Sequence, residues 1–522
     1  VKLRAGPWVA ALAALSGCAP RPARFADAPV IQEIADDAPI PVPRPLDPIP
    51  EIVVSEAYLR RPVIEALDPS RRPDAGDVNA LDEVPRSRWF SPEGAPRAAR
   101  DEDPPAPPFR LLDVPAVTHE GGLVVLDARG IRFELWRDPD GRPGMATAAA
   151  VAASRILRAV GYYTPGTWAT GLTWSDFVVR DTSQHDAVRA FFRRGPHSDD
   201  GVFRAGVTRW PIGADLGPTP ALSVRGDDPN DRVPHEDRRT VRALKVFFAW
   251  LGITHLGPDL LRDAYVGAPG RGHVVHYLAG LHGALGADAV TQPRKPAEDD
   301  SDLIHDNPWR TLATLGIAHP ADPPTQTRWL SIGAYDERVA PAAFRTSPPF
   351  APMDRLLPAD AYWAAKQLAA IPPAVIDQAL DAAQIADATA RARLVEVIRA
   401  RRIALLRWGF DRVTACEVER VEQAGGARRP ARLVLRDEAA LRGLSTSPRH
   451  RVDLLDEQGR GIAPPQTIAP GGALFAVELP ESAPAYLVVR VTAERAWQGD
   501  PRAFEAHLVR RGGAWAVVGI VH

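Results

Sequence analysis

The apolar period of this chain changes near Val413, and that change limits what the two parts can become. Ala361 to Ala370, Ala374 to Ala383 and Ala388 to Trp408 carry apolar residues at helical spacing, the last stretch amphipathic and rich in arginine. Beyond Val413 the period is two. Arg432–Leu435, Val452–Leu455, Leu474–Val477, Tyr486–Val489, Phe504–Val509 and Trp515–Ile520 read as short strands, with Gly459, Gly471-Gly472 and Gly512-Gly513 as turns. Alternation of this kind predicts strands with one buried face. We therefore expect an α+β chain whose residues 414–522 form a small all-β sandwich.

Upstream, Leu123–Leu126 and Ile131–Trp136 flank Asp127-Ala128-Arg129-Gly130, a hairpin signal. Met145 to Val160 follows as an alanine-rich helix closed by Gly161. His235 to Leu251 reads as one long helix, with Val241, Leu244, Phe247, Phe248 and Leu251 near one face. Residues 51–120 form an N-terminal extension, interrupted by the proline-rich patch Asp103 to Pro108. Residues 121–413 form the body.

The N-terminus carries an address. Lys2 and Arg4 precede an apolar run from Trp8 to Leu15, too short to span a bilayer, and Leu15-Ser16-Gly17-Cys18 follows. That order predicts a lipoprotein signal over residues 1–17, acylation of Cys18 and anchorage in membrane lipid. Ala19 in place of Asp fits retention at the outer membrane of the cell envelope. Residues 18–50, with Pro41-Val42-Pro43-Arg44-Pro45, read as an extended tether. Net charge is −2 and no block is strongly basic, which argues against a nucleic-acid partner. Of the 2 cysteines only Cys416 would remain after acylation, so no internal disulfide is expected, and its strand-like surroundings suggest a buried thiol.

Several words resemble a family of uncharacterised bacterial lipoproteins whose body is similar to an atypical protein kinase. They are Asp77-Val78-Asn79-Ala80-Leu81-Asp82-Glu83-Val84-Pro85 with Arg88-Trp89-Phe90; Asp227-Asp228-Pro229-Asn230-Asp231 with His235-Glu236-Asp237-Arg238-Arg239; and His276-Tyr277-Leu278. Trp363-Ala364-Ala365-Lys366 and Val517-Val518-Gly519-Ile520 also agree. The resemblance implies a two-lobed kinase-like body, with an N-lobe over about 121–175 and a helical C-lobe to 413. It implies a lysine on the strand before the first helix, an H-x-D-x-x-x-x-N loop after the long helix, and a D-F-G-like turn after H-Y-L.

This chain departs from that pattern at each position. Trp136 stands where the lysine belongs, and no lysine occurs between Lys2 and Lys245. The loop positions fall on Ile253, His255 and Leu260, and Gly280 replaces the metal-binding Asp of the turn. Phosphoryl transfer depends on charge neutralisation at the phosphates. The resemblance therefore implies a pseudokinase that binds or scaffolds an envelope protein or ligand, with no cofactor.

The alternative is a divergent phosphotransferase or hydrolase using Asp227, Asp231, His235, His255 and Asp259, and a third possibility is a purely structural envelope protein. His273, His276 and His282 are close in sequence, but strand alternation sets His273 and His276 on opposite faces, so no metal site is expected there. Asp227 to Asp231 lacks the spacing of a calcium loop and reads as Asx turns. His235-Glu236 fails as a zinc-protease start because position 239 is Arg239. No Walker loop, G-x-S-x-G elbow or G-x-G-x-x-G fingerprint is present. Tyr162, Tyr163, Trp168, Trp174, Trp210 and Trp250 suit a core, a fraction of them lining a vestigial cleft.

Overall fold

The computed structural model describes residues 24–28, 36–46, 74–92, 104–112, 122–193, 201–210, 212–257, 259–288, 328–346, 350–425, 430–444, 449–469, 471–494 and 501–522. Cys18 and the signal segment 1–17 lie outside them. The fold is α+β, and the chain divides into two compact units. Val1–Ile31, Ala80–Asp82 and Val413–His522 make one; Gln32–Asn79 and Glu83–Arg412 make the other. Among the described residues no helix is long and apolar enough to cross a membrane.

The larger unit is built on a six-stranded sheet in the order β4-β6-β3-β2-β1-β5. Its strands are β1 (Phe109–Leu111), β2 (Leu123–Leu126), β3 (Arg132–Trp136), β4 (Thr167–Leu172), β5 (Phe177–Val178) and β6 (Phe203–Thr208). The expected hairpin is β2–β3. Asp127 closes it, accepting the backbone N–H of Arg129 and of Ile131, each at 2.9 Å. Phe109, Leu123, Val125, Phe133, Leu135 and Phe203 pack on one face with helix α2 (Thr182–Arg193). Helix α1 (Met145–Val160) packs on β4 and β6.

Asp138 starts α1: its carboxylate accepts Gly144 N–H and Thr147 N–H at 2.8 Å each. This satisfies orphan donors of the first turn. Gly161 ends α1 at φ 123°, and a Cβ there would lie 2.7 Å from the Phe90 ring and from the Ser91 carbonyl. Only glycine fits that ending.

The six-stranded sheet runs from β1, within residues 51–120, to β6, which ends at Thr208. One expectation about this part changes. The long helix His235–Leu251 is broken into a 3-10 turn His235–Asp237, α3 (Arg239–Arg242) and α4 (Leu244–Leu251). The physical cause is Asp77, which accepts Arg239 N–H, Thr240 N–H and the Thr240 hydroxyl, capping α3 while Arg238 stays extended.

A second sheet orders β7 (Ala214–Pro218), β8 (Leu261–Val266) and β9 (His273–Leu278) side by side. Residues 36–46 run over it. Ile40 N–H donates to Gly272, Leu46 N–H to Leu216, and the Tyr265 hydroxyl to Ile40. Ile40 is buried with Leu216, Tyr265 and Val274. Within the expected extended tether 18–50, residues 36–46 are thus docked, because backbone bonds and one isoleucine compensate for sparse apolar content. The helical block forms as expected: α5 (Pro358–Ala370), α6 (Pro373–Ala382) and α7 (Ala388–Phe410). Arg401 lies in the buried face of α7, donating to the Ala249 carbonyl at 2.9 Å with its guanidinium over the Tyr335 ring.

The smaller unit is the two-sheet sandwich. One sheet orders β10 (Cys416–Glu422), β11 (Ala431–Asp437) and β14 (Leu474–Leu479); the other orders β13 (Gln466–Ile468), β12 (Arg449–Leu455), β15 (Tyr486–Glu494), β16 (Phe504–Arg511) and β17 (Ala514–Val521). Leu433, Leu435 and Val477 from the first meet Val452, Leu487, Val491 and Phe504 from the second. Each such side chain stabilises the unit by about 1.5–3 kcal/mol when fully buried. Cys416 belongs to this core, buried and reduced. Phe25 also docks here, its N–H donating to the Tyr486 hydroxyl at 2.9 Å and its ring lying against Gly519. His522 sets its Nδ1 2.6 Å from an Asp82 carboxylate oxygen.

Candidate functional site

The densest cluster of chemistry in the larger unit lies under the second sheet. Asp263 on β8 and His276 on β9 are directly opposed in the antiparallel register. The His276 Nδ1 stands 2.7 Å from Asp263 Oδ1. Asp263 also accepts the Thr219 hydroxyl at 2.6 Å and an Arg225 guanidinium N–H at 2.8 Å. From Arg225 the chain folds through consecutive turns: Asp228 N–H returns to the Arg225 carbonyl, and Asn230 N–H donates to the Asp228 carboxylate at 2.8 Å. These are the Asx turns expected of the Asp227–Asp231 stretch. They deliver Asp231 back onto the Arg225 N–H at 2.6 Å.

His235 is one turn further on. Its Nε2 lies 2.8 Å from Asp231 Oδ2, and its Nδ1 faces the Pro220 carbonyl. Arg238 donates to the other Asp231 oxygen at 2.8 Å. Trp89 covers the pair: it stacks on His276 at 4.1 Å between ring centroids and meets His235 edge-on at 4.9 Å. Asp231, His235, His276, Asp263, Arg225, Arg238 and Trp89 are all buried.

Burial opposes ionisation of Asp231, but the hydrogen bond from His235 and the charges of His235, His276 and Arg238 outweigh it and hold the carboxyl below its usual range. Burial likewise opposes charge on Asp263, and His276, Thr219 and Arg225 bring it down. Asp36 and Asp228, beside the cluster, move the other way, because burial pushes both up. Asp231, His235 and His276 are a group whose ligand atoms all lie within 4.8 Å of one another, so they could hold a metal ion. Closed off under Trp89, the cluster suits binding of something small better than acid–base work on a bulky substrate.

The alternative catalytic set divides. Asp231 and His235 are together. Asp227 pairs with Arg225 at 2.9 Å and accepts Arg44 N–H, whereas Asp259 is exposed on Arg262. No described hydrogen bond joins His255, which is half-buried, to any of them. The three neighbouring histidines also part: His276 is on Asp263, His282 is 6.2 Å from Trp136 between ring centroids, and His273 is partly exposed at the far end of β9.

Among the positions that departed from the kinase-like pattern, Trp136 ends β3 opposite Gly206 of β6 and donates its Nε1–H to the Thr208 hydroxyl at 3.1 Å. Ile253 and Leu260 are buried apolar side chains. Gly280 N–H donates to the Asp259 carbonyl at 2.9 Å, and a Cβ there would stand 3.1 Å from that residue's backbone.

Sequence reasoning named Asp231 and His235 but missed that His276 joins them. The available signal was the register that sets His276 against Asp263 across the β8–β9 hairpin. It also missed a second buried ion network, in which Arg239 Nε reaches Asp360 at 3.1 Å and Arg242 reaches the same carboxylate at 3.6 Å. No protein-family model, no curated protein and no solved structure matches this chain.

Proposed function

We propose that this chain is a lipid-anchored protein of the cell envelope whose kinase-like body binds or scaffolds and does not transfer phosphate. The order of elements supports a kinase-like reading of the body. A β2–β3 hairpin leads into α1, which packs on the sheet, and the β8–β9 hairpin follows the apolar helix α4. The turn Leu281–Gly283 after that hairpin packs against α1, and its His282 faces Trp136.

Trp136 carries the inactive half of the proposal. In the resembling proteins a lysine at that place neutralises nucleotide phosphates; here an indole fills the space over Gly206 and offers no charge. α1 has no Asp or Glu to hold such a lysine in place. Loss of cationic and metal-holding groups removes the electrostatic stabilisation on which phosphoryl transfer rests. The anchor is Cys18, whose acyl chains would supply about 0.8 kcal/mol per buried CH₂. A divergent phosphotransferase or hydrolase draws less support, since no described hydrogen bond joins His255 or Asp259 to the Asp231–His235 pair and Asp227 meets it only through Arg225.

Phosphate release from ATP with Mg²⁺ or Mn²⁺, measured on the full chain, tests the proposal. The expected rate equals that of the protein-free control. Turnover that disappears in Asp259→Ala would retire the inactive reading in favour of an enzyme.

A further inference from the structure

We infer that Asp231, His235 and His276 form a buried binding site for one divalent transition-metal ion of the zinc class. The first support is convergence. One carboxylate oxygen and two imidazole nitrogens lie within 4.8 Å of one another on residues that are all buried. They come from separate elements: the turn before the 3-10 segment, the 3-10 segment itself, and β9.

The second support is the orientation of the rings. A histidine that ligates through Nε2 keeps its proton on Nδ1, usually held by a carboxylate or a backbone carbonyl. Both arrangements occur here. His276 Nδ1 is against the Asp263 carboxylate at 2.7 Å, and His235 Nδ1 is against the Pro220 carbonyl. His235 thereby turns its Nε2 onto Asp231, and Nε2 is the nitrogen of His276 that Asp263 does not hold. For His276 that nitrogen has no described hydrogen-bond partner.

The third support is what the site otherwise requires. His235 Nε2 and Asp231 Oδ2 stand 2.8 Å apart, and both are acceptors when Nδ1 holds the only ring proton. Something positive has to lie between them. Without an ion it is a proton shared by the pair. A metal takes that proton's place and gains His276 as a further ligand. Ligands at about 2.0–2.2 Å from a tetrahedral ion stand about 3.3–3.5 Å apart, so the pair opens by roughly half an ångström.

Arg238 and the Arg225 N–H, both on Asp231, orient the carboxylate and leave a lone pair of Oδ2 for the ion. The positive charge of Arg238 disfavours a hard cation held by charge alone and favours one held through imidazole nitrogen. Three protein ligands leave a fourth position for water. Trp89 covers the cluster, so the ion would join the 225–238 turn to the β8–β9 hairpin in a structural role.

The test uses the full chain purified in detergent and dialysed against metal-free buffer, then titrated with Zn²⁺ and, separately, with Co²⁺ as a spectroscopic probe. The expected result is one tightly held ion per chain by elemental analysis, with visible d–d absorption for Co²⁺. His276→Ala should lose both. Asp263→Asn, which loosens the ring without touching the ion, should weaken Zn²⁺ binding by about 10- to 100-fold. His255→Ala should bind as the wild type does. Wild-type protein that holds no Zn²⁺ and shows no shift in melting temperature on its addition would overturn the inference, leaving a metal-free hydrogen-bonded pair of His235 and Asp231. Undiminished binding in a folded His276→Ala would overturn it as well.

Discussion

Trp136 and Gly206 face each other across β3 and β6, and a Cβ built on the glycine would fall 2.3 Å from the indole. The indole is held by its bond to Thr208, so it cannot yield cheaply. Gly206→Ala is therefore expected to destabilise the larger unit by about 1–3 kcal/mol through overpacking. Combining it with Trp136→Ala should recover part of that loss, a non-additivity read from urea denaturation of the single and double variants. Strict additivity would mean that the two side chains do not compete for one space.

Asp127 is expected to make the β2–β3 hairpin sensitive to acid. Its burial opposes charge, but bonds from Ile131, Arg129 and Ala106 prevail and lower its pKa. A carboxylate depressed on folding stabilises fully above the unfolded value of about 3.9, and that contribution is lost as pH falls through the lower folded value. Asp127→Ala should cost about 1–2 kcal/mol at neutral pH. The difference between wild type and variant should shrink below about pH 4. Thermal melts at a series of pH values check both the size and the direction.

Asp360 is the shared counter-charge of Arg239 and Arg242, all three buried. Burial pushes its pKa up, while the two arginines and the Leu357 N–H pull against that. Removing one partner of a buried ion network costs about 3–5 kcal/mol, because it leaves charge without compensation. Asp360→Ala should reach that range in chemical denaturation. A loss below about 1 kcal/mol would indicate that water replaces the carboxylate.

Cys18→Ser is expected to abolish incorporation of labelled palmitate and to move the protein from the membrane to the soluble fraction. The leash is short. Phe25 is docked on the sandwich, and the seven residue steps from Cys18 span at most about 25 Å. The sandwich should accordingly show protection from added protease at Arg24 and Phe25 when the protein is on vesicles. Label retained by the serine variant would place the acyl chain elsewhere.

What could be read in the sequence was local. The hairpin around Asp127, the helix from Met145 to its Gly161 ending and the alternating strands after Val413 are each specified by neighbouring residues, and all three form. The break at Arg238 was not legible, because the residue that caps Arg239 is Asp77, brought from far upstream. The strap at 36–46 was missed for a related reason: its attachments are backbone groups and a single isoleucine, to which composition is blind. His276 could join Asp231 and His235 only once the β8–β9 register was known. The α+β class was readable, whereas the partnership of residues distant in sequence was not.

Isothermal calorimetry of the full chain with ATP, in Mg²⁺ and again in Mn²⁺, tests the central claim most directly. An inert kinase-like body predicts no saturable heat with either ion. Saturable binding that depends on the divalent ion would contradict it, since Trp136, Ile253, Leu260 and Gly280 would then have been replaced by groups that hold a nucleotide after all.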